Sequence, residues 1–310
     1  MKLALFNDFV PSVVNGDHIV DVSSVVGGVM ALPVHDRMPA LITDFDRLQP
    51  ALAQTAQAEG VALNSMRLRA PLPRPSKLLC AIGNFMEETD TPKRPIGLFL
   101  KSPAAVIGPE DTVELPPAQA NIFHHEAELA VVIGPRRAKG VSVEDALAFV
   151  FGYTCFIDVS ARGLGTGVGF IDKSFDTFAP MGPWITSKDE ISNPQKLQVR
   201  LWVDGQPRHN YNTDDMEHTV AELVSWASNI ATLEPGDVIS CGINHQGLGP
   251  VQDGERVEIE VEGVGRMAVK VQDPLKRSWP KEIDEDMARF VREWRQNPST
   301  LPPRAMTPRR

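Results

Sequence analysis

Between Arg256 and Val271 the side chains alternate with the period of paired strands. Val257, Ile259 and Val261 fall on one face, and Glu258, Glu260 and Glu262 on the other. Gly263-Val264-Gly265 turns the chain, and Met267, Val269 and Val271 return it. Residues two apart on a strand share a face, so this stretch is a hairpin with one dry side and one wet side. Gln198 to Asp204 repeats the pattern with Val199, Leu201 and Val203, then meets the turn pair Asp204-Gly205. Helical spacing is scarcer. It occurs at Leu48, Leu52 and Ala56 between Asp44 and Glu59, and along Val220, Leu223, Val224, Ala227 and Ile230. The second of these follows the capping box Thr219-Val220-Ala221-Glu222, and Ser142-Val143-Glu144-Asp145 is another such box, which predicts a short helix after it. Ile283, Met287, Phe290, Val291 and Trp294 predict an amphipathic helix near the end. The chain therefore reads as mainly β with some helices, an α+β protein.

Three segments are expected. Residues 1–72 form a small N-terminal domain that ends in the stiff cluster Pro71, Pro73 and Pro75. Residues 73–274 form the main domain. Residues 275–310 form a tail with the one amphipathic helix, and the stretch from about Pro302 is expected to lack order. A net charge of -9 argues against a nucleic-acid or anionic-membrane surface, although local cations or a bound metal still allow an anionic substrate. Cys80, Cys155 and Cys241 stand far apart in apolar stretches with no C-x-x-C pair, so buried free thiols are expected. No run approaches the ~20 apolar residues that span a bilayer, and the polar Asn7-Asp8 comes too early for a signal peptide. A cytoplasmic enzyme is the expectation.

The richest stretch is His124-His125-Glu126-Ala127-Glu128-Leu129-Ala130-Val131-Val132-Ile133-Gly134. Its apolar run predicts a strand, which aims Glu126 and Glu128 at one point roughly 6.5–7 Å apart along the backbone. Two such carboxylates repel unless a cation or proton lies between them, and oxygen donors suit magnesium, manganese or calcium. A solvated strand face is the alternative. Asp158 closes the apolar Tyr153-to-Ile157 run and is either a third ligand or a turn residue. Arg162 and Lys173 flank Gly163, Gly165, Gly167 and Gly169, and are either carboxylate-binding cations or surface ion-pair formers. His124 or His125 is a candidate partner that orients a ligand, or one of them faces solvent and the other the core.

Four separated motifs occur in order: Leu98-Phe99-Leu100-Lys101-Ser102-Pro103, the Glu126/Glu128 strand followed by Asp158 and Arg162, the run from Lys173-Ser174-Phe175-Asp176 to Met181-Gly182-Pro183-Trp184, and Leu233-Glu234-Pro235-Gly236-Asp237-Val238-Ile239. Over about residues 77–272 the chain resembles the catalytic domain of the fumarylacetoacetate hydrolase superfamily. The resemblance implies a mixed β-roll or β-sandwich fold and a homodimer. It also implies a magnesium ion, or manganese or calcium, on Glu126, Glu128 and Asp158, with Lys173 and Arg162 holding substrate oxygens.

The departures from the family pattern are specific. Members that hydrolyse acylpyruvates resemble one another in a lid reading Asn-Tyr-x-x-His-x-x-Glu, whose His–Glu pair activates water. Here Asn84-Phe85-Met86-Glu87-Glu88-Thr89-Asp90-Thr91 puts Glu88 at the His position and Thr91 at the Glu position. The pair is therefore expected to be missing, which leaves Glu88 or His245 as the candidate base. Gly242-Ile243-Asn244-His245-Gln246-Gly247 replaces a Gly-Thr-Pro segment, so Asn244 and Gln246 join Phe85 and Arg162 as candidate substrate contacts. The expected activity is hydrolysis of a C–C bond in a small anionic diketo acid, as in catabolism of aromatic compounds. The alternatives are decarboxylation, hydration or isomerisation of a 2-oxo acid, or metal binding without turnover.

Overall fold

The computed structural model describes residues 1–165, 168–303, 306 and 307. Gly167 and the tail residues 304, 305 and 308–310 lie outside them. Among the described residues the fold is mainly β. A central sheet runs through ten strands, in the order Val61–Ala62, His18–Asp21, Val10–Asn15, Lys2–Phe6, Ala179–Ser187, Val150–Ile157, Ala127–Ile133, Val238–Ser240, Leu78–Ala81 and Leu98–Lys101. A five-stranded sheet holds both predicted hairpins, Gln198–Val203 with Gln206–Asn212 and Arg256–Val261 with Gly265–Gln272, and Thr112–Glu114 lies at its edge.

Strand parity sets the layers. Leu129, Val131 and Ile133 pack with Val199, Leu201, Val257 and Ile259 in the larger core cluster, which lies between the two sheets. Ala130 and Val132 face the opposite way, into a cluster with Met38, Leu41, Ile42, Leu48 and Leu52. These come from two helices, Val34–Thr43 and Phe45–Thr55. One helix was expected there; Asp44 divides the pair. The N-terminal stretch is not set apart from the main sheet, because Lys2 and Leu3 pair antiparallel with Thr186 and Ile185.

The capping box at Thr219 opens the Val220–Ile230 helix as expected. The box at Ser142 forms its Ser142–Asp145 bonds, but only a 3-10 turn, Ala146–Phe149, follows. The tail helix is Glu285–Gln296, and its buried residues are Met287, Ala288 and Arg295 rather than the whole predicted stripe. Cys80, Cys155 and Cys241 are buried free thiols. No helix among the described residues is long and apolar enough to cross a membrane.

Candidate active site and metal centre

Register assembles the acids. Ala127 pairs with Ile157, so one step further Glu126 meets Asp158, whose amide donates to the Glu126 carbonyl at 2.8 Å. Glu128 shares a face with Ala130 and Val132, at the end of the strand away from the helical cluster. The next strand pairs Ser240 with Ala130 and so brings two donors to Glu128 Oε2, the Ser240 hydroxyl and the Gly242 amide, the latter at 2.7 Å. All three acids are buried, and one carboxylate oxygen from each lies within 4.8 Å of the others.

The cations around them are unevenly shared. Lys173, at the end of the short Gly169–Lys173 helix, places Nζ 2.6 Å from Glu126 Oε2 and 2.7 Å from Asp158 Oδ2. Arg162 donates to Glu126 Oε1, and the Ser160 hydroxyl donates to the same oxygen at 2.9 Å. Lys101, wholly buried, donates to Asp158 Oδ1 at 2.6 Å. Burial alone would raise the Glu126 carboxyl, but Lys173, Arg162 and then His245 hold it well below the usual range. Glu128 makes no ion pair among the described residues. Burial, and then the charges of Asp158 and Glu126, push it up to about 8. A close set of hard oxygen donors, one of which lacks a counter-charge, fits a magnesium, manganese or calcium ion. The Lys173 ammonium between two of the acids shows that they already present a cation-binding face.

A second pair stands beside this cluster. The Glu87 carboxylate is buried and lies 2.7 Å from His245 Nδ1. It also accepts from the His245 amide at 2.9 Å and from Gln246 Nε2 at 2.7 Å. Burial pushes Glu87 up, yet the charge and hydrogen bonds of His245, with the bond from Gln246, hold it below its ordinary value. An ionised carboxylate only accepts, so the contact assigns a proton to Nδ1, and in the neutral ring Nε2 carries the lone pair. His245, Glu126, Arg162 and Lys173 line one cavity of about 290 Å³, together with Phe99 and Ile82. A larger cleft of about 820 Å³, lined by Arg67, Glu110 and Arg266, holds none of these groups.

The family model described as fumarylacetoacetate hydrolase C-terminal matches residues 77–272. The chain belongs to the fumarylacetoacetate hydrolase family. It is 33% identical over 293 residues to the maleylpyruvate hydrolase of Aquipseudomonas alcaligenes, covering 88% of this chain and 99% of that one. It is 34% identical over 268 residues to the mitochondrial oxaloacetate tautomerase of Homo sapiens, covering 79% of this chain and 84% of that one. The crystal structure of maleylpyruvate hydrolase from Sphingobium sp. SYK-6, in complex with manganese(II) and pyruvate, matches with a TM-score of 0.80 at 36% identity, over 88% of this chain and 99% of that one. Relatives of this fumarylacetoacetate hydrolase family protein thus include hydrolases and tautomerases of small oxo acids.

Several expectations about the site change. A His–Glu pair is present, built from different positions than the family lid would supply. The lid carboxylate that turns inward is Glu87, whereas Glu88 is exposed. Both have positive φ, 57° and 59°, and this kink breaks the simple spacing by which Glu88 was matched. The ring of Phe85, a candidate substrate contact, is buried against Tyr211, centroids 5.0 Å apart. Asn244 caps the His245–Gly247 turn by accepting from the Gln246 amide at 3.0 Å, and donates to Asp215 at 2.8 Å. Gln246 serves Glu87 rather than the cavity.

His124 and His125 are both fully buried, so neither faces solvent. His124 Nδ1 accepts from Arg162 Nε at 3.2 Å, and Nε2 is 3.1 Å from Asp284, so His124 links Arg162 to the start of the tail helix. Burial lowers its pKa to about 4, consistent with a neutral ring in that role. The His125 ring packs edge to face on His209, centroids 5.0 Å apart. Sequence reasoning missed Lys101 as part of the site. Its signal was present: a lysine closing the apolar run Leu98-Phe99-Leu100.

Proposed function

We propose that the protein is a divalent-metal-dependent hydrolase of acylpyruvate-type diketo acids, yielding pyruvate and a carboxylic acid. The observation that carries the reading is that His245, held by Glu87, lines the same cavity as Glu126 of the three-acid cluster. Glu126, Glu128 and Asp158 would hold the cation, which supplies an electrophile for the substrate's 2-oxo oxygens. Glu87 fixes the tautomer and orientation of His245, so that Nε2 takes a proton from water as the water oxygen bonds the acyl carbonyl carbon. The tetrahedral adduct then collapses, and the bond from the acyl carbon to C3 of the pyruvyl unit breaks. Its electron pair becomes the enolate of pyruvate. Lys173 and Arg162, which line the cavity, would stabilise the developing enolate oxygen. The proton on His245 returns to C3, which completes pyruvate and leaves the acyl group as a carboxylic acid.

The maleylpyruvate hydrolases among the relatives support this reading. Oxaloacetate tautomerase relatives favour a second one, because the same base can move a proton between oxygen and carbon without cleavage. Incubation of an acylpyruvate with the manganese-loaded protein separates them. Loss of enol absorbance with one pyruvate per substrate, measured with a lactate dehydrogenase couple, supports hydrolysis. Loss of absorbance at unchanged mass means isomerisation, and carbon dioxide release from oxaloacetate means decarboxylation. Tight manganese binding without turnover of a panel of oxo acids leaves only the binding role.

Lys173→Ala tests the cation's part. Removing one preorganised charge from a developing oxyanion costs about 10²–10³-fold in kcat. The change in manganese affinity is smaller, because the three acids remain. An unchanged kcat removes Lys173 from the mechanism.

A further inference from the structure

We propose that the tail helix Glu285–Gln296, which lies beyond the residues the family model matches, is a clamp that positions the Glu87–His245 pair, with Arg295 as the positioning residue. The inference rests on the reading of that pair as the base.

The two halves of the helix hold the two chain segments that meet at the pair. At its start, the Asp284 amide donates to the Leu248 carbonyl at 2.8 Å. Met287 packs on Ile243 and Leu248, on either side of His245. Gln246, which donates to Glu87, also reaches the Ala288 carbonyl at 3.4 Å. The turn that carries His245 is therefore seated on the helix.

The far end holds the lid. The Arg295 side chain is wholly buried, with 0% of its surface exposed. Arginine is almost never buried to that extent unless its donors are used, and here they are. Nη1 donates to the Phe85 carbonyl at 2.7 Å and to Glu217 at 2.9 Å. Nε reaches the Thr89 hydroxyl at 3.1 Å and Nη2 the Thr91 hydroxyl at 3.2 Å. Glu217 is tied in turn to Arg94 Nη2 at 2.8 Å. These contacts lie on both sides of Glu87 and Glu88, which are consecutive non-glycine residues with positive φ. A non-glycine backbone keeps that conformation only where its surroundings over-determine it. One planar fork that reaches residues 85, 89 and 91 together is a means of doing so, and an amine on a flexible stem is not.

Full-length Arg295→Met and Arg295→Lys are compared with wild type. Expected for Arg295→Met is a kcat loss of about tenfold or more, a share of the contribution of a positioned base, with KM and manganese affinity within twofold. Arg295→Lys, which keeps the charge without the fork, falls between the two. Hydrogen exchange should quicken at residues 84–91 and not in the central sheet. Glu87→Gln added to Arg295→Met should cost little further, because both act through one pair.

A full, additive loss from Glu87→Gln overturns the clamp, as does an Arg295→Met whose exchange quickens everywhere or nowhere. If wild type turns over no oxo acid yet Arg295→Met loosens only residues 84–91, the clamp stands and the base reading fails.

Discussion

Asp158→Asn should reduce turnover to background and weaken manganese binding by about a hundredfold or more, since it removes a charged ligand from a hard cation. It should also destabilise the fold, and Glu128→Gln should not, although both remove one acid from the same cluster. The difference lies in their neighbours. Asp158 is the carboxylate that Lys101 meets at 2.6 Å, and it shares Lys173 with Glu126. Lys101 is fully buried and cannot recover water as a partner. Breaking a buried pair by neutralising one member costs roughly 3–5 kcal/mol, because the other charge is left uncompensated. Glu128 instead faces a hydroxyl and an amide, which glutamine's carbonyl oxygen satisfies equally well. Glu128→Gln should therefore lose the metal and turnover while melting within about 1 kcal/mol of the metal-free wild type, as replacements that leave no unpaired group do. Calorimetric titration with manganese and thermal melts of the metal-free proteins read the two effects separately. Equal melting losses for the two variants would contradict the arrangement of charges described here.

Much of this was visible in the sequence because it is local. Alternation at Val257, Ile259 and Val261 reports a strand wherever its partner lies, and Glu126-x-Glu128 reports a shared face. Parity does not report what pairs with what. The strand Lys2–Phe6 finds its neighbour at Ala179–Ser187, and nothing within residues 1–72 marks that pairing. For the same reason the stretch read as a module apart. The choice between Glu87 and Glu88 depends on two positive φ angles that no residue pattern announces, since neither position is glycine. The tail helix shows the same limit in another form. Of its predicted apolar stripe only Met287 is buried, and the charged Arg295 is buried as well, held by Glu217 and the lid carbonyl of Phe85. A charged residue in an amphipathic helix looks solvent-facing until its buried partners are known.

The largest effect outside the metal cluster should come from His245→Ala, with a kcat loss of about 10²–10⁴-fold, the range a positioned general base contributes. Manganese affinity should hardly move, because His245 is not among the three acids that would hold the ion. Glu87→Gln is the finer test. The amide keeps the shape of the carboxylate and can accept from His245 Nδ1, but it removes the charge that steadies the imidazolium formed when Nε2 takes a proton. It should therefore lower kcat by less than His245→Ala does and leave KM close to wild type, and the double variant should be no worse than His245→Ala alone. Glu88→Gln is the internal control, since that side chain is exposed and should leave kcat within twofold of wild type. The kinetics of the four variants on one acylpyruvate, with manganese binding measured in parallel, decide the matter. A kcat for His245→Ala near that of wild type would mean that the proton leaves water by another route, and the Glu87–His245 contact would then be a structural bond between the lid and the Asn244-to-Gln246 turn.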